Sequence, residues 1–224
     1  MENVCTVLLA RLGSSRLPKK HLKEFCGITV IEFLFKRANL LINWPNFILA
    51  TTTNSEDDEL EEMANKYKVT VFRGSENDVV DRIIKASEVF NAKWINRLNG
   101  DNIFFDYELI NDAILKTSMD NNIELISNVT DSKTPGFTVE IIQKDSLVKN
   151  HHLMDKDQRE HVTQFFYQNY DNSKFYWLDN RKNLINLAID TQDDLNRAKK
   201  LTQEPYNFDY RTPVSYMSKF QFND

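Results

Sequence analysis

The N-terminal stretch Ala10-Arg11-Leu12-Gly13-Ser14-Ser15-Arg16-Leu17-Pro18-Lys19-Lys20 carries four cations in ten residues, around one glycine and two serines. Free backbone N–H groups near Gly13 to Ser15, with the side chains of Arg11, Arg16 and Lys20, have the chemistry to neutralise a triphosphate. A solvated basic loop is the alternative reading. Two aspartates, Asp101 in Asn99-Gly100-Asp101 and Asp190 in Ile189-Asp190-Thr191, each follow an apolar run. Mg2+ takes one or two carboxylates together with phosphate oxygens and water, so this pair suits a metal-triphosphate complex if the fold joins them. Taken singly, either aspartate reads equally well as a helix N-cap. Cys5 and Cys26 have no second pair to make a metal or disulfide framework, and no Ser/His/Asp or Cys/His set suggests covalent catalysis.

Short apolar runs alternating with amphipathic segments must position these groups, the pattern of an α/β fold with a mostly parallel sheet. Strands are expected at Val4 to Ala10, Asn46 to Thr52, Val69 to Phe72, Lys93 to Leu98, Ile123 to Asn128 and Asn186 to Ile189. Helices are expected at Ile31 to Leu41, Ser55 to Tyr67, Asn77 to Asn91, Asp106 to Met119 and Thr191 to Thr202, with Ser55 as an N-cap before acidic residues. One stretch breaks the rhythm: between Ser127 and Leu178 a Pro135-Gly136 turn, a strand Phe137 to Ile142, a helix Asp157 to Tyr170 and a strand Phe175 to Leu178 read as an insertion between the last two strands. Such an insertion suits an acceptor site or a homodimer contact through Phe165, Phe166 and Tyr167, unless those rings are core. The segmentation gives one domain over residues 1–204 and an aromatic tail over 205–224, packed on its own domain or exchanged with a second copy.

In an open parallel sheet, ligands sit beyond the carboxyl ends of the strands, so the basic loop after the first strand is well placed for phosphate. It is neither GxGxxG nor GxxxxGK[ST], which removes the main support for a dinucleotide oxidoreductase or a P-loop NTPase. A receiver domain would carry paired acids there instead of arginine and lysine. The chain has 224 residues, 41% of them hydrophobic, and 28 Lys plus Arg against 33 Asp plus Glu, a net charge of -5. This composition excludes default disorder and leaves no general electrostatic footprint for nucleic acid or anionic membrane. The N-terminus lacks a signal peptide's basic region and a spanning apolar run, so a cytoplasmic location is expected.

The loop Ala10-Arg11-x-Gly13-Ser14-x-Arg16-Leu17-Pro18-x-Lys20-x-Leu22 resembles the signature of the cytidylyltransferases that make CMP-activated sugars, especially the SpsF-like spore-coat polysaccharide branch and its Kdo and acylneuraminate relatives. The likeness continues through Ala50-Thr51-Thr52-Thr53-Asn54-x-Glu56-Asp57-Asp58, Val71-Phe72-Arg73-Gly74-Ser75-Glu76-x-Asp78-Val79, Asn99-Gly100-Asp101, Ser127-Asn128, Val139-Glu140, Arg159-Glu160-His161-Val162-Thr163 and Ile189-Asp190-Thr191-x-x-Asp194-Leu195. It implies a Rossmann-like nucleotide-diphospho-sugar transferase fold that binds CTP with Mg2+ and releases pyrophosphate.

Carried over residue by residue, the resemblance makes Arg11 and Lys20 the catalytic phosphate holders and Asp101 and Asp190 the metal ligands. It implies nucleotide contacts from Leu9, Ala10, Gly13, Ser14, Ser15, Arg16, Thr52, Arg73, Gly74, Ser75, Asp78, Asn99 and Gly100, with Arg73 to Asp78 near base and ribose. Acceptor contacts are expected from Thr138, Glu140, Arg159 and His161. The last two read equally as part of a salt-bridging cluster opening a helix, and His151 and His152 as solvent-facing residues at a helix end. The chain departs from the family at three places: Asn102-Ile103-Phe104-Phe105-Asp106 replaces a Cys-Pro-like pair, Thr138 replaces an aspartate, and Lys19 replaces a small residue. The sugar specificity is therefore not carried over. A glycosyltransferase consuming a sugar nucleotide and an inactive nucleotide-binding protein are the rival readings.

Overall fold

A computed structural model describes residues 2–129, 136–179 and 184–220. In chain order its elements are β1 (Val4–Leu9), β2 (Glu24–Phe25), β3 (Ile28–Thr29), α1 (Val30–Ala38), β4 (Phe47–Thr52), α2 (Asp58–Lys66), β5 (Thr70–Gly74), α3 (Val79–Glu88), β6 (Trp94–Asn99) and α4 (Tyr107–Lys116). They continue with β7 (Leu125–Ser127), β8 (Glu140–Gln143), α5 (Lys144–Asn150), α6 (Lys156–His161), α7 (Gln164–Asn169), β9 (Phe175–Trp177), α8 (Gln192–Lys200) and α9 (Val214–Met217).

The main sheet has seven strands in the order β5-β4-β1-β6-β8-β7-β9. β1 pairs in parallel with β4 and β6, β4 with β5, and β7 with β9; only β8 runs antiparallel to its neighbours β6 and β7. Both faces of β1 are covered, Val4 and Leu8 by one apolar layer and Cys5 and Val7 by the other, which is why the strand reads as a continuous apolar run. On the second face α3 presents Val80, Ile83 and Ile84, the i, i+3, i+4 stripe of a helix lying on a sheet. The loop after β1 and the turn after β6 therefore emerge side by side at the carboxyl ends of paired parallel strands, where a ligand of this fold class sits.

The chain from residue 127 onward differs from expectation in three ways. It supplies β8 and β9, and with β7 these build one flank of the central sheet instead of an appended unit. The expected strand Asn186 to Ile189 reduces to a single bridge between Asn102 and Ala188. The expected helix Asp157 to Tyr170 breaks into α6 and α7 at Val162, which has φ 47° and ψ −62°. There Thr163 N–H donates to the His161 carbonyl at 2.5 Å, a γ-turn that a periodicity argument has no means of detecting. Arg159, Glu160 and His161 thus close a helix instead of opening one. Phe165 and Phe166 are buried and Tyr167 packs against the same layer, so these rings are core and supply no argument for a dimer. Gly136 has φ 97°, and a Cβ there would stand 2.7 Å from the Ala188 nitrogen; Pro135 of the expected turn lies outside the described residues.

The tail packs on the chain's own core, with Phe208, Val214 and Met217 buried beside α1 and α4. It is pinned by Arg37, a buried guanidinium that donates to the carbonyls of Phe105 (2.8 Å), Tyr210 (2.9 Å) and Thr212 (3.0 Å). Burial lowers the Arg37 pKa to about 10, so the group stays charged at neutral pH. No described helix is long and apolar enough to cross a membrane.

Candidate active site

Two clefts meet at the carboxyl ends of β1 and β6. The first, about 400 Å³, is lined by the basic loop (Leu9, Ala10, Arg11, Gly13, Ser14, Ser15, Arg16 and Lys20), by His21, Val79, Arg82, Arg97, Asn99, Gly100 and Asp101, and by Glu160, His161 and Asp190. The second, about 500 Å³, is lined by Asn102, Val129, Thr138, Glu140, Thr163, Gln164, Tyr167 and Ala188, and shares Arg97, Asn99, Asp101, His161 and Asp190 with the first. The two aspartates thus stand on the seam between a cation-lined cleft and a second one walled by β8.

The loop is shaped by backbone and buried polar ties. Lys19 N–H donates to the Leu12 carbonyl at 3.2 Å, and Lys19 takes the left-handed conformation with φ 52°. That conformation accounts for the small residue the family places at this position. Asp57, expected inside a helix begun by Ser55, is instead the loop's anchor. Its carboxylate accepts from Leu12 N–H at 2.7 Å and from the Thr52 N–H and hydroxyl. Ser55 accordingly starts a 3-10 turn and caps nothing.

The bland reading of Asp190 fails on geometry: Thr191 is the N-cap of α8, in a capping box with Asp194. Asp190 is left to meet Lys20 at 3.3 Å and Arg16 at 3.0 Å. Lys20 also donates to the Ile189 carbonyl at 2.9 Å. Asp101 caps no helix either, because Asp106 caps α4. One oxygen of Asp101, Oδ1, is buried without a hydrogen-bond partner. Burial raises the Asp101 pKa; the Lys20 charge opposes the shift and the Asp190 charge adds to it. A carboxylate with an orphaned oxygen, lining the same clefts as a second carboxylate, fits a hard divalent cation that completes its shell with phosphate oxygens. Among the described residues no group of three or more His, Cys, Asp or Glu side chains could hold a metal by itself, so such a cation depends on the nucleotide for further ligands.

Several expected nucleotide contacts stand away from the cleft. Arg73 donates to the Thr52 carbonyl (2.9 Å), the Asn54 carbonyl (2.7 Å), Asp58 (2.6 Å) and Glu61 (2.8 Å), which ties the ends of β4 and β5 to α2. Thr52 is engaged by Asp57, and Gly74 backs onto Phe72 and Arg82. The Ser75 hydroxyl accepts from Asp78 N–H at 3.0 Å, and its carbonyl accepts from Arg82 at 2.6 Å. Asp78 caps α3 and meets His151 at 2.8 Å and Arg159 at 3.5 Å, so His151 has a partner and Arg159 faces α3 instead of an acceptor. What this segment does send to the loop is Glu76, which binds Arg11 at 3.1 Å.

Among the cleft-lining groups that sequence reasoning gave no role are His21, Arg82, Arg97 and Tyr167. Arg97, Asn99 and Asp101 follow the two-residue period at the end of β6, a signal that could have found Arg97. Its guanidinium pairs with buried Glu140 at 2.5 Å, while Tyr167 donates to the other Glu140 oxygen at 2.9 Å and contacts the Ser127 hydroxyl at 2.7 Å. Burial and the Glu140 charge push the Tyr167 hydroxyl pKa up, so it stays a donor. Burial and the neighbouring Arg11 lower the Arg82 pKa to about 10, leaving a second cation on the cleft wall. His21 is lowered to about 4 by burial, with Lys20 acting in the same direction, so its ring is neutral at physiological pH.

The family model described as cytidylyltransferase matches residues 5–212. The spore coat polysaccharide biosynthesis protein SpsF of Bacillus subtilis is 28% identical over 214 residues, covering 91% of this chain and 88% of its own length. A cytidylyltransferase structure from Leptospira borgpetersenii has a TM-score of 0.85 at 28% identity, covering 98% of this chain and 94% of that one. A CMP-2-keto-3-deoxy-manno-octonic acid synthetase solved with CTP shares the fold, with a TM-score of 0.66 at 14% identity over 90% of this chain and 98% of that one. The central sheet is that of the Rossmann-like nucleotidyltransferases, and with nearly its whole length matched the chain belongs to the cytidylyltransferase family.

Proposed function

We propose that the protein transfers a cytidylyl group from CTP to a small-molecule acceptor and releases pyrophosphate. The observation that carries this reading is the pair of clefts joined at Arg97, Asn99, Asp101, His161 and Asp190, one rimmed by the cations of the basic loop and the other by β8. CTP lies in the first cleft with its phosphates on Arg11, Arg16, Lys20 and the N–H groups near Gly13 to Ser15. The acceptor lies in the second, against Thr138, Glu140 and His161, so its oxygen approaches the α-phosphorus across the seam. Negative charge then grows on the α-phosphoryl oxygens and on the leaving pyrophosphate, where Arg11 and Lys20 stabilise it electrostatically. Asp101 and Asp190 would hold Mg2+, which when bound neutralises phosphate charge. The reading extends to a sugar-acid or phosphorylated small-molecule acceptor and a cytoplasmic location, and the name of the relative SpsF supports a place in surface-polysaccharide synthesis.

Pyrophosphate release, measured with added pyrophosphatase across the four nucleoside triphosphates and a panel of sugar acids and phosphorylated small molecules, tests the reading. Turnover with CTP and one acceptor class is expected. Release of free nucleotide from a sugar nucleotide would favour the glycosyltransferase alternative, and CTP binding with no turnover for any acceptor the inactive one.

A further inference from the structure

His21 is 2% exposed, forms part of the wall of the first cleft and touches segments that are remote in sequence. Its Nδ1 stands 3.1 Å from the Arg11 carbonyl, which can only accept, so Nδ1 carries the proton. Its Nε2 makes no hydrogen bond of regular geometry but is close enough to the Gly100 backbone to interact with it, and a Cβ added to Gly100 would stand 2.4 Å from it. The imidazole edge therefore lies directly against the glycine preceding Asp101, and only glycine allows that approach. The adjacent Lys20 reaches the Ile189 carbonyl and Asp190. One 3-10 turn, Lys20–Leu22, thus meets the phosphate loop, the Asp101 turn and the Asp190 segment.

We propose that His21 is a positioning residue: its ring sets the spacing between the phosphate-holding loop and the Asp101 turn, so that CTP and a divalent cation reinforce each other's binding. The inference rests on the nucleotide reading above. A triphosphate held by Arg11 and Lys20 reaches a cation on Asp101 only if the two segments keep a fixed separation. A stiff aromatic ring packed between a backbone carbonyl and a Cα holds such a separation better than a flexible side chain would. Nothing in the ring needs to touch the ligand.

Calorimetric titration of CTP, once in EDTA and once in excess Mg2+, measures the reinforcement as the ratio of the two dissociation constants. In the intact protein Mg2+ is expected to tighten CTP binding. His21→Leu removes both nitrogens and should reduce that ratio by about tenfold or more, because binding in Mg2+ weakens by that much more than the Mg2+-free binding, which itself loses some affinity as the Arg11 carbonyl loses its donor. His21→Asn keeps a donor for the Arg11 carbonyl but does not reach Gly100, so its ratio should fall between the other two. A merely structural role would weaken both titrations together. A ratio within about twofold of the intact protein's in cooperatively melting His21→Leu would overturn the proposal, and His21→Asn decides the matter if the leucine variant does not fold. Intact protein that binds no CTP in either condition would bring down the nucleotide reading and the spacing role together; CTP binding with an unaltered ratio in the variants would bring down the spacing role alone.

Discussion

The two walls of the site are built differently. The loop wall rests on the parallel half of the sheet, where β1 and β6 are adjacent and the loop follows β1 directly, so neighbouring residues in sequence become neighbouring cations in space. The β8 wall comes from β8, the γ-turn at Val162, and the bridge of Asn102 to Ala188, which lie far apart along the chain. The first is a local motif presented by a scaffold. The second exists only once distant segments have packed, and its central contact, Arg97 with Glu140 and Tyr167, joins β6 of one half to β8 and α7 of the other.

The largest effect that would separate the walls from their seam is expected at the aspartates. Asp101→Asn and Asp190→Asn should each lower pyrophosphate release by two or more orders of magnitude, because both remove charge that holds the metal-triphosphate complex. Their stabilities should diverge. The asparagine at 101 replaces a carboxylate whose pKa burial has raised, so its melting temperature should hold or rise. Near-normal turnover in either variant would remove that aspartate from the site.

The next effect probes the contact that crosses between the halves. Glu140→Gln leaves the Arg97 guanidinium buried without its anion and should cost roughly 3 kcal/mol of stability by denaturant titration. Tyr167→Phe removes one hydroxyl from the same network and should cost about 1 kcal/mol. Equal losses would mean that the pair is not closed to solvent.

A third test uses pH. His21 is neutral in the folded state down to about pH 4, whereas an unfolded histidine takes up a proton below about pH 6.5. Between these values the unfolded chain binds more protons, so stability rises with pH; this contribution is complete above about 6.5 and lost as pH falls toward 4. The difference in unfolding free energy between the intact protein and His21→Leu should shrink by roughly 3 kcal/mol across that window as it is acidified. A difference independent of pH would contradict the neutral buried ring. The smallest effect belongs to Lys19, whose left-handed backbone favours glycine. Lys19→Gly should stabilise the protein by up to about 1 kcal/mol, offset in part by glycine's greater chain entropy.

The contrast between the walls also explains what the sequence could show. The loop cations, Asn99-Gly100-Asp101 and Asp190 were legible because each lies next to the end of an apolar run, and the fold brings them together. Arg73 and Asp78 lie away from the two clefts because a motif gives residue order but not side-chain direction, and both are engaged in bracing helices. The break at Val162 was invisible because a helical apolar period survives a γ-turn. Asp57 and His21 were missed because their partners, Leu12 N–H and Gly100, lie in other segments.

The central claim, that CTP binds the loop wall and leaves the β8 wall for the acceptor, is tested most directly by titrating CTP in Mg2+ into the intact protein, Lys20→Gln and Thr138→Val, with ATP as the competing nucleotide. CTP should bind the intact protein more tightly than ATP, lose about tenfold or more in affinity with Lys20→Gln, and stay within about threefold with Thr138→Val. ATP binding as tight as CTP, or Thr138→Val weakening CTP as much as Lys20→Gln does, would contradict it.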